Sequence, residues 1–299
     1  MSYAAPAYPA PSVILELLKP ITWFAPMWAF MCGLVSTGAP LLDRWPLVVG
    51  GIVLAGPLVC GTSQAVNDWY DRHVDAINEP LRPIPSGRMP GEWGFYVACF
   101  FTALSLLVAA LLGAAVLGAA VVGLALAWAY SAPPLRLKAN GWWGNSAVGL
   151  CYEGLPWFTG AAVVSASFPD WRIVTLALLY SVGAHGIMTL NDFKSVEGDL
   201  KSGIASLPAQ LGVGRAARLA CIVMAAPQFL VIGLLVQWGQ PVHALIVAAL
   251  LLAQGVLMKR LLADPRGRAA WYNATGTSLY VLGMLASAFA LRSLLGAGS

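Results

Sequence analysis

Charge is scarce in this sequence. Only 10% of the 299 residues are Asp, Glu, Lys or Arg, against about 25% in soluble domains; 59% are hydrophobic and the mean hydropathy is +0.74. That excludes a water-soluble protein, and at roughly 20 apolar residues per membrane-crossing helix it leaves no room for an extra soluble domain. Histidine is rarer still. His73, His185 and His243 fall in three separate segments, so no Ser/His/Asp or Cys/His constellation for nucleophilic catalysis is in view. The five cysteines, Cys32, Cys60, Cys99, Cys151 and Cys221, are too widely spaced for a CxxC redox pair or a zinc site. They read as small core residues. Residues 1–12 carry neither a basic stretch ahead of an apolar run nor a small-residue cleavage site, so a loose tail is expected there and not a signal peptide. The apolar runs also lack the ten-residue alternation of a membrane barrel.

The charge-free runs predict an all-α integral membrane protein with nine transmembrane helices around a central cavity. Residues 20–42 and 45–67 give one span each, and 93–135 give two with a turn near Gly113. Residues 139–169 and 173–191 give the fifth and sixth. Residues 219–258 hold two more, turning between Trp238 and Pro241, and 269–291 hold the last. With the N-terminus inside, 14 of the 17 basic residues share one face and only Arg44, Arg172 and Arg292 lie opposite. That asymmetry predicts a cytoplasmic N-terminus and an external C-terminus. The net charge of +4 then reflects topology and contact with lipid headgroups, not a nucleic-acid partner.

More than half of the 13 acids sit in two short stretches, both after even-numbered spans and so both at the cytoplasmic mouth. The first reads NDWYDRHVDAINEPLRPIPSGR, from Asn67 to Arg88. Asp68, Asp71 and Asp75 follow i, i+3, i+7 spacing, which lines three carboxylates along one helical face. Bare, they repel; a hard divalent cation that keeps positions open for phosphate oxygens makes the arrangement favourable, and Mg²⁺ suits it. The prolines at 80, 83 and 85 end the helix, and Arg82 and Arg88 return positive charge. The second stretch reads NDFKSVEGDLKSG, from Asn191 to Gly203. Asn191, Asp192, Ser195 and Asp199 each lie 124 positions after Asn67, Asp68, Asp71 and Asp75. The register predicts two four-helix repeats, about 20–135 and 139–262, plus a last helix at about 269–292, all within one domain from 13 to 299. Each repeat would supply one acidic helix end to a shared metal and phosphate site. A third polar patch runs from Tyr130 through SAPPLRLK to Lys138 on the same face, and reads equally as positive-inside anchoring or as diphosphate binding.

The strings NDWYDRHVDAINEPLRPIPSGR, YSAPPLRLKANGWWGN and NDFKSVEGDLKSGIASLPAQLG resemble the chlorophyll and bacteriochlorophyll branch of the UbiA superfamily of intramembrane prenyltransferases. RHVDAINEP, SGRMPG and AAWYNATG look more like its bacteriochlorophyll side. The second signature departs at Ser195, where several branches have Asp, so Glu197 or water would complete that ligand set. The resemblance implies esterification of the bacteriochlorophyllide propionate with a C20 prenyl diphosphate, geranylgeranyl or phytyl, in a bacterial inner or intracytoplasmic membrane. Mg²⁺ on Asp68, Asp71, Asp75, Asp192 and Asp199 would neutralise the diphosphate. Asn67, Arg82, Arg88, Arg136, Lys138, Asn191, Lys194 and Lys201 would hold it. For the pigment or prenyl pocket the resemblance points to Trp69, Tyr70, Tyr130 and Trp157, although aromatics at helix ends are more often interfacial anchors. Glu153 faces either the cavity or a structural partner, and His185 either ligates a chlorin magnesium or makes an interhelical hydrogen bond. A chlorophyllide acceptor and a quinone or haem-precursor prenyltransferase are the neighbouring alternatives. A secondary transporter with inverted repeats would carry its acids near the midplane, whereas these lie at helix ends.

Overall fold

The computed structural model describes residues 8–165 and 167–296. Twelve helical elements account for nearly all of them: α1 (Pro11–Leu17), α2 (Phe24–Ser36), α3 (Leu42–Asn78), α4 (Trp93–Leu112), α5 (Ala114–Ser131), α6 (Gly141–Ser165), α7 (Trp171–Asn191), α8 (Val196–Ser202), α9 (Leu207–Leu211), α10 (Val213–Gln237), α11 (Pro241–Ala263) and α12 (Pro265–Gly296). Eight are long and apolar enough to cross a membrane, and the bent pair Pro11–Thr22 with Phe24–Ser36 makes a ninth. The expected turns occur where the backbone must reverse. Gly113 takes φ +128° and Gly239 φ +72°, conformations that side-chain-bearing residues rarely adopt.

Two boundaries differ from expectation, each for a local reason. Residues 1–7 of the expected tail lie outside the described residues, but Pro11 and Ser12 already belong to α1, and Tyr8 packs edge-on against Trp93 at 5.6 Å. Between α1 and α2 the chain bends by 59°. Pro20 cannot donate to a continuing helix, and Lys19 ahead of it takes a left-handed φ of +49°. α3 in turn continues past residue 67 to Asn78, so the first acidic motif forms about the last three turns of the spanning helix itself.

Where α2 crosses α6 the contact is reciprocal. A Cβ on Gly33 would collide with the carbonyl oxygen of Trp157, and one on Gly160 with that of Phe30. Phe30 and Trp157, and Gly33 and Gly160, are both 127 positions apart. That offset differs by three from the 124 that separates the acidic motifs. On the far side of Trp157, Tyr180 stacks at 5.6 Å and Tyr280 meets Tyr180 edge-on at 5.3 Å. Every polar atom of this cluster is paired: Trp157 Nε1 donates to Ser36 Oγ at 3.1 Å, Tyr280 Oη to the Tyr180 carbonyl at 2.6 Å, and Tyr180 Oη shares a 2.8 Å bond with Ser287 Oγ. Gln228 of α10 and Gln254 of α11 exchange amide hydrogen bonds at 3.1 and 3.0 Å, a side-chain link worth about 1 kcal/mol between helices in lipid.

Candidate active site

Two short π-helical stretches shape the interior. Leu54–Cys60 interrupts α3 around Pro57, and Leu150–Gly154 interrupts α6. A π turn displaces the following side chains from α-helical register, and such turns are common at functional sites. Here they face each other. Gln64 Nε2 donates to Tyr152 Oη at 3.2 Å, and Cys60 Sγ lies 3.6 Å from the same hydroxyl. Between them runs a cavity of about 520 Å³. Its walls are mainly aliphatic, including Leu54, Val59 and Leu155, while Asn67, Tyr130 and Asn191 mark its polar end. Both acidic motifs therefore open onto one cavity, each through its first asparagine.

The first motif is neutralised from three directions. Asp68 is 1% exposed and accepts from Lys19 Nζ at 2.6 Å and Arg82 at 3.4 Å. Asp75 accepts from the same Arg82 at 2.8 Å. Asp71 accepts from Lys138 Nζ at 2.6 Å and from Asn67 Nδ2 at 3.1 Å, and Ser131 Oγ accepts from Asn67 and Lys138 at 3.2 and 3.4 Å. Burial pushes the Lys138 ammonium below its ordinary range, and the bond to Asp71 works against that shift. Lys138 is thus bonded to the first motif. Lys19 is too, although in the sequence it stands out only as the one base before the first span; the bend at Pro20 delivers it.

In the second motif, Asp192 and Asp199 form no ion pair with a cation among the described residues. Asp192 accepts from Asn145 Nδ2 at 3.3 Å, and Asp199 from Ser195 Oγ at 3.0 Å. Asn145, on α6, also reaches Thr189 Oγ1 at 3.3 Å; as a neutral residue inside an apolar run it passed unnoticed in the sequence. Asn191 Oδ1 accepts from Asn273 Nδ2 of α12 at 2.7 Å.

Several expected site residues lie elsewhere. Arg88 forms an exposed bidentate pair with Glu16 at 2.6 and 2.7 Å, which takes both its terminal nitrogens away from the aspartates. Glu197 points outward, its side chain 81% exposed and 3.9 Å from Arg266, so it does not complete the second acidic set. Arg136, Lys194 and Lys201 are exposed at the same end of the bundle. Trp157 is core, for the packing reasons above. Trp69 sits beneath the Arg72 guanidinium at 4.2 Å and Tyr70 meets Trp128 edge-on at 6.4 Å; neither lines the cavity. His185 bonds Ser146 of α6 at 3.1 Å, the interhelical role. Tyr130 and Glu153 do face cavities.

Residues 24–291 match the UbiA prenyltransferase family. The chain belongs to that family. Among curated UbiA relatives, the bacteriochlorophyll synthase 33 kDa chain of Cereibacter sphaeroides is 62% identical over 96% of this chain and 95% of its own length. Chloroplastic chlorophyll synthase of Oryza sativa subsp. japonica is 39% identical over 92% of this chain and 76% of its own. Among solved structures, a UbiA homolog from Archaeoglobus fulgidus bound to GPP and Mg²⁺ aligns with a TM-score of 0.69, at 21% identity, over 90% of this chain and 99% of that one. The UbiA fold expected from the sequence is therefore present along essentially the whole chain.

A divalent ion can be tested against the donors themselves. Among the described residues no three Asp, Glu, His or Cys side chains converge as a ready ligand set. The one-face triad of Asp68, Asp71 and Asp75 is therefore not a preformed grip; its carboxylates are engaged instead by Lys19, Arg82 and Lys138. The donor chemistry fits all the same. The aspartates and asparagines at the mouth offer hard oxygen, as Mg²⁺ requires, and Asp68 Oδ2 is buried without a hydrogen-bond partner.

Proposed function

We propose that this chain transfers a C20 prenyl group from its diphosphate to the propionate carboxylate of bacteriochlorophyllide a. The observation that carries the reading is the shape of the site: two Asn-Asp motifs meet at the polar end of one aliphatic cavity. A prenyl diphosphate has the same division, with all charge at one end and hydrocarbon beyond. The pigment assignment rests on similarity, since identity to the bacteriochlorophyll enzyme exceeds identity to the chloroplast one by 23 percentage points (62 against 39).

Mg²⁺, held by Asp68, Asp71 and Asp75 with Asp192 and Asp199 opposite, would supply Lewis-acid neutralisation of the diphosphate, worth several kcal/mol. The chain's own cations do the rest. Lys19, Arg82 and Lys138 already point at the mouth, and charge-assisted bonds from them would hold the pyrophosphate as the allylic C–O bond breaks. Arg136, Lys194 and Lys201 raise the local positive potential that draws the substrate in. Asn67 and Asn191 orient the diphosphate from the two halves. The aliphatic walls keep water from the allylic cation, and Tyr130 offers it a π face. The acceptor carboxylate, with a pKa of about 4.3 if it resembles Glu, is ionised at neutral pH and attacks without a general base. His185, engaged with Ser146, is not needed.

Purified protein with Mg²⁺ and geranylgeranyl diphosphate should convert bacteriochlorophyllide a to its ester and leave 4-hydroxybenzoate and homogentisate untouched, as read by chromatography of extracted pigments. Prenylation of the aromatic acids with the pigment unreacted would install a quinone-type enzyme instead. Reaction of chlorophyllide a alone would keep the chemistry and reverse the pigment. The membrane is a bacterial inner or intracytoplasmic one with the mouth facing the cytoplasm. Cysteines placed at Glu197 and Val242 of a cysteine-free variant test that orientation: impermeant reagent added outside should label the second and not the first.

A further inference from the structure

A second cavity, about 250 Å³, adjoins the first and shares Phe24, Tyr152 and Met188 with it. α12 closes it with Asn273, Thr277 and Val281. On the opposite wall stands Glu153, in the π turn of α6. Its side chain is within a residue only 5% exposed, and Oε2 has no hydrogen-bond partner. Two other lining atoms share that condition, Thr277 Oγ1 and Asn273 Oδ1. A buried polar atom left unpaired costs about 1–3 kcal/mol, and native interiors leave few of them. All three residues line the one cavity; Asn273 Oδ1 can only accept, whereas the Thr277 hydroxyl and a neutral Glu153 each have a hydrogen to donate, so a ligand acceptor would complete those two.

Resting on the function proposed above, we infer that this cavity receives the polar rim of the acceptor ring, with the Glu153 carboxyl group donating a hydrogen bond to a ring carbonyl and the Thr277 hydroxyl adding a second. The donor substrate has no use for these groups, because its diphosphate is met at the mouth and the remainder is hydrocarbon. A bacteriochlorophyllide carries ketone and ester carbonyls on its edge, and a few placed polar groups in an apolar pocket are what fix a ligand's orientation. α2, α7 and α12 present apolar, amide and hydroxyl groups to Glu153 and no cation. A carboxylate there would stand uncompensated in the bilayer interior, whereas the neutral acid has one O–H to give. Position agrees. Tyr152 borders both cavities and Glu153 follows it, so a ring edge in the second cavity lies against a prenyl chain in the first. Asn273, whose Nδ2 holds Asn191, ties this rim site to the second acidic motif. The volume takes an edge of the macrocycle.

Steady-state kinetics on the purified full chain test this. Glu153→Leu should raise KM for bacteriochlorophyllide about tenfold, the cost of one unmade hydrogen bond, with KM for geranylgeranyl diphosphate unchanged. Glu153→Gln, which keeps an N–H donor, should recover most of the loss. Wild-type enzyme given an acceptor whose ring ketone is replaced by a methylene should show a matching rise, independent of any effect on folding. Equal acceptor KM in folded Glu153→Leu and wild type overturns the inference. So does a change confined to KM for the prenyl diphosphate. If the Glu153→Leu penalty vanishes with a metal-free pigment, Glu153 ligates the ring metal and the carbonyl assignment falls. A wild type that esterifies no bacteriochlorophyllide at all refutes the proposed function, and is distinguishable from each of these.

Discussion

The two acidic motifs begin with the same Asn-Asp pair and are neutralised in different ways. At the end of α3, three aspartates meet three cations from the chain, Lys19, Arg82 and Lys138, at 2.6 to 3.4 Å. At the end of α7, Asp192 and Asp199 receive only the Asn145 amide and the Ser195 hydroxyl. One half of the mouth is balanced internally; in the other, no cation is bonded to the two aspartates among the described residues. In a poorly screened setting an added cation gains most where no internal cation competes. Ser195, the apparent defect in the repeat, fits this division. As Asp it would face Asp199 at hydrogen-bond distance, whereas as Ser it donates to it.

Four outcomes sharpen or break that contrast. Asp192→Ala and Asp71→Ala should both lower kcat by at least about 100-fold, the loss expected for a main electrostatic stabiliser. Their thermal stabilities should diverge. Asp71→Ala strands the half-buried Lys138 and lowers Tm by a few degrees, as about 1 kcal/mol does in a chain of this size, while Asp192→Ala strands only a neutral amide. Equal Tm changes would erase the asymmetry. Next in size, Lys138→Met should cost about tenfold in kcat/KM for the prenyl diphosphate, one charge-assisted bond, yet lower the Mg²⁺ concentration giving half-maximal rate. A rise in that concentration would mean that Lys138 does not compete for Asp71.

Ser195→Asp should lower half-saturating Mg²⁺ by about threefold, well under the several kcal/mol at stake in a full metal site. It should also lower Tm in EDTA, because it adds a like charge beside Asp199. No change in either would show that the second motif does not face the ion. The smallest effect is expected for Glu197→Gln. An exposed pair such as Glu197–Arg266 contributes about 0–1 kcal/mol, so steady-state rates should stay within twofold of wild type.

Much of this architecture was legible in the sequence because a bilayer leaves few options. Charge-free runs have to be helices, so the spans from Trp93 to Ser131 and from Val213 to Ala263 appeared with their turns at Gly113 and Gly239. The acidic motifs were legible for the same reason, since charges confined to helix ends stand out in so apolar a chain. What escaped were neutral residues. Asn145, Asn273 and Thr277 carry no charge to mark them, and their roles come from helices far apart in the chain. The basic residues were over-read in the opposite direction. Arg88 and Lys138 look equivalent as letters, but one reaches Glu16 on the surface and the other Asp71 within the site.

The sequence by itself determined that the chain spans a membrane, how many helices do so, and which two motifs hold its charge, because burying charge in hydrocarbon costs too much for other patterns to survive. The tertiary structure alone decided which cation meets which aspartate and that Trp157 is core. It alone decided that the π turns at Leu54–Cys60 and Leu150–Gly154 both border the cavity onto which Asn67 and Asn191 open. Those outcomes depend on a 59° bend at α1, on register shifts of one residue and on the crossing of α2 with α6. Such geometric choices differ by only a few kcal/mol of packing, and no single stretch of sequence carries enough of either partner to fix them.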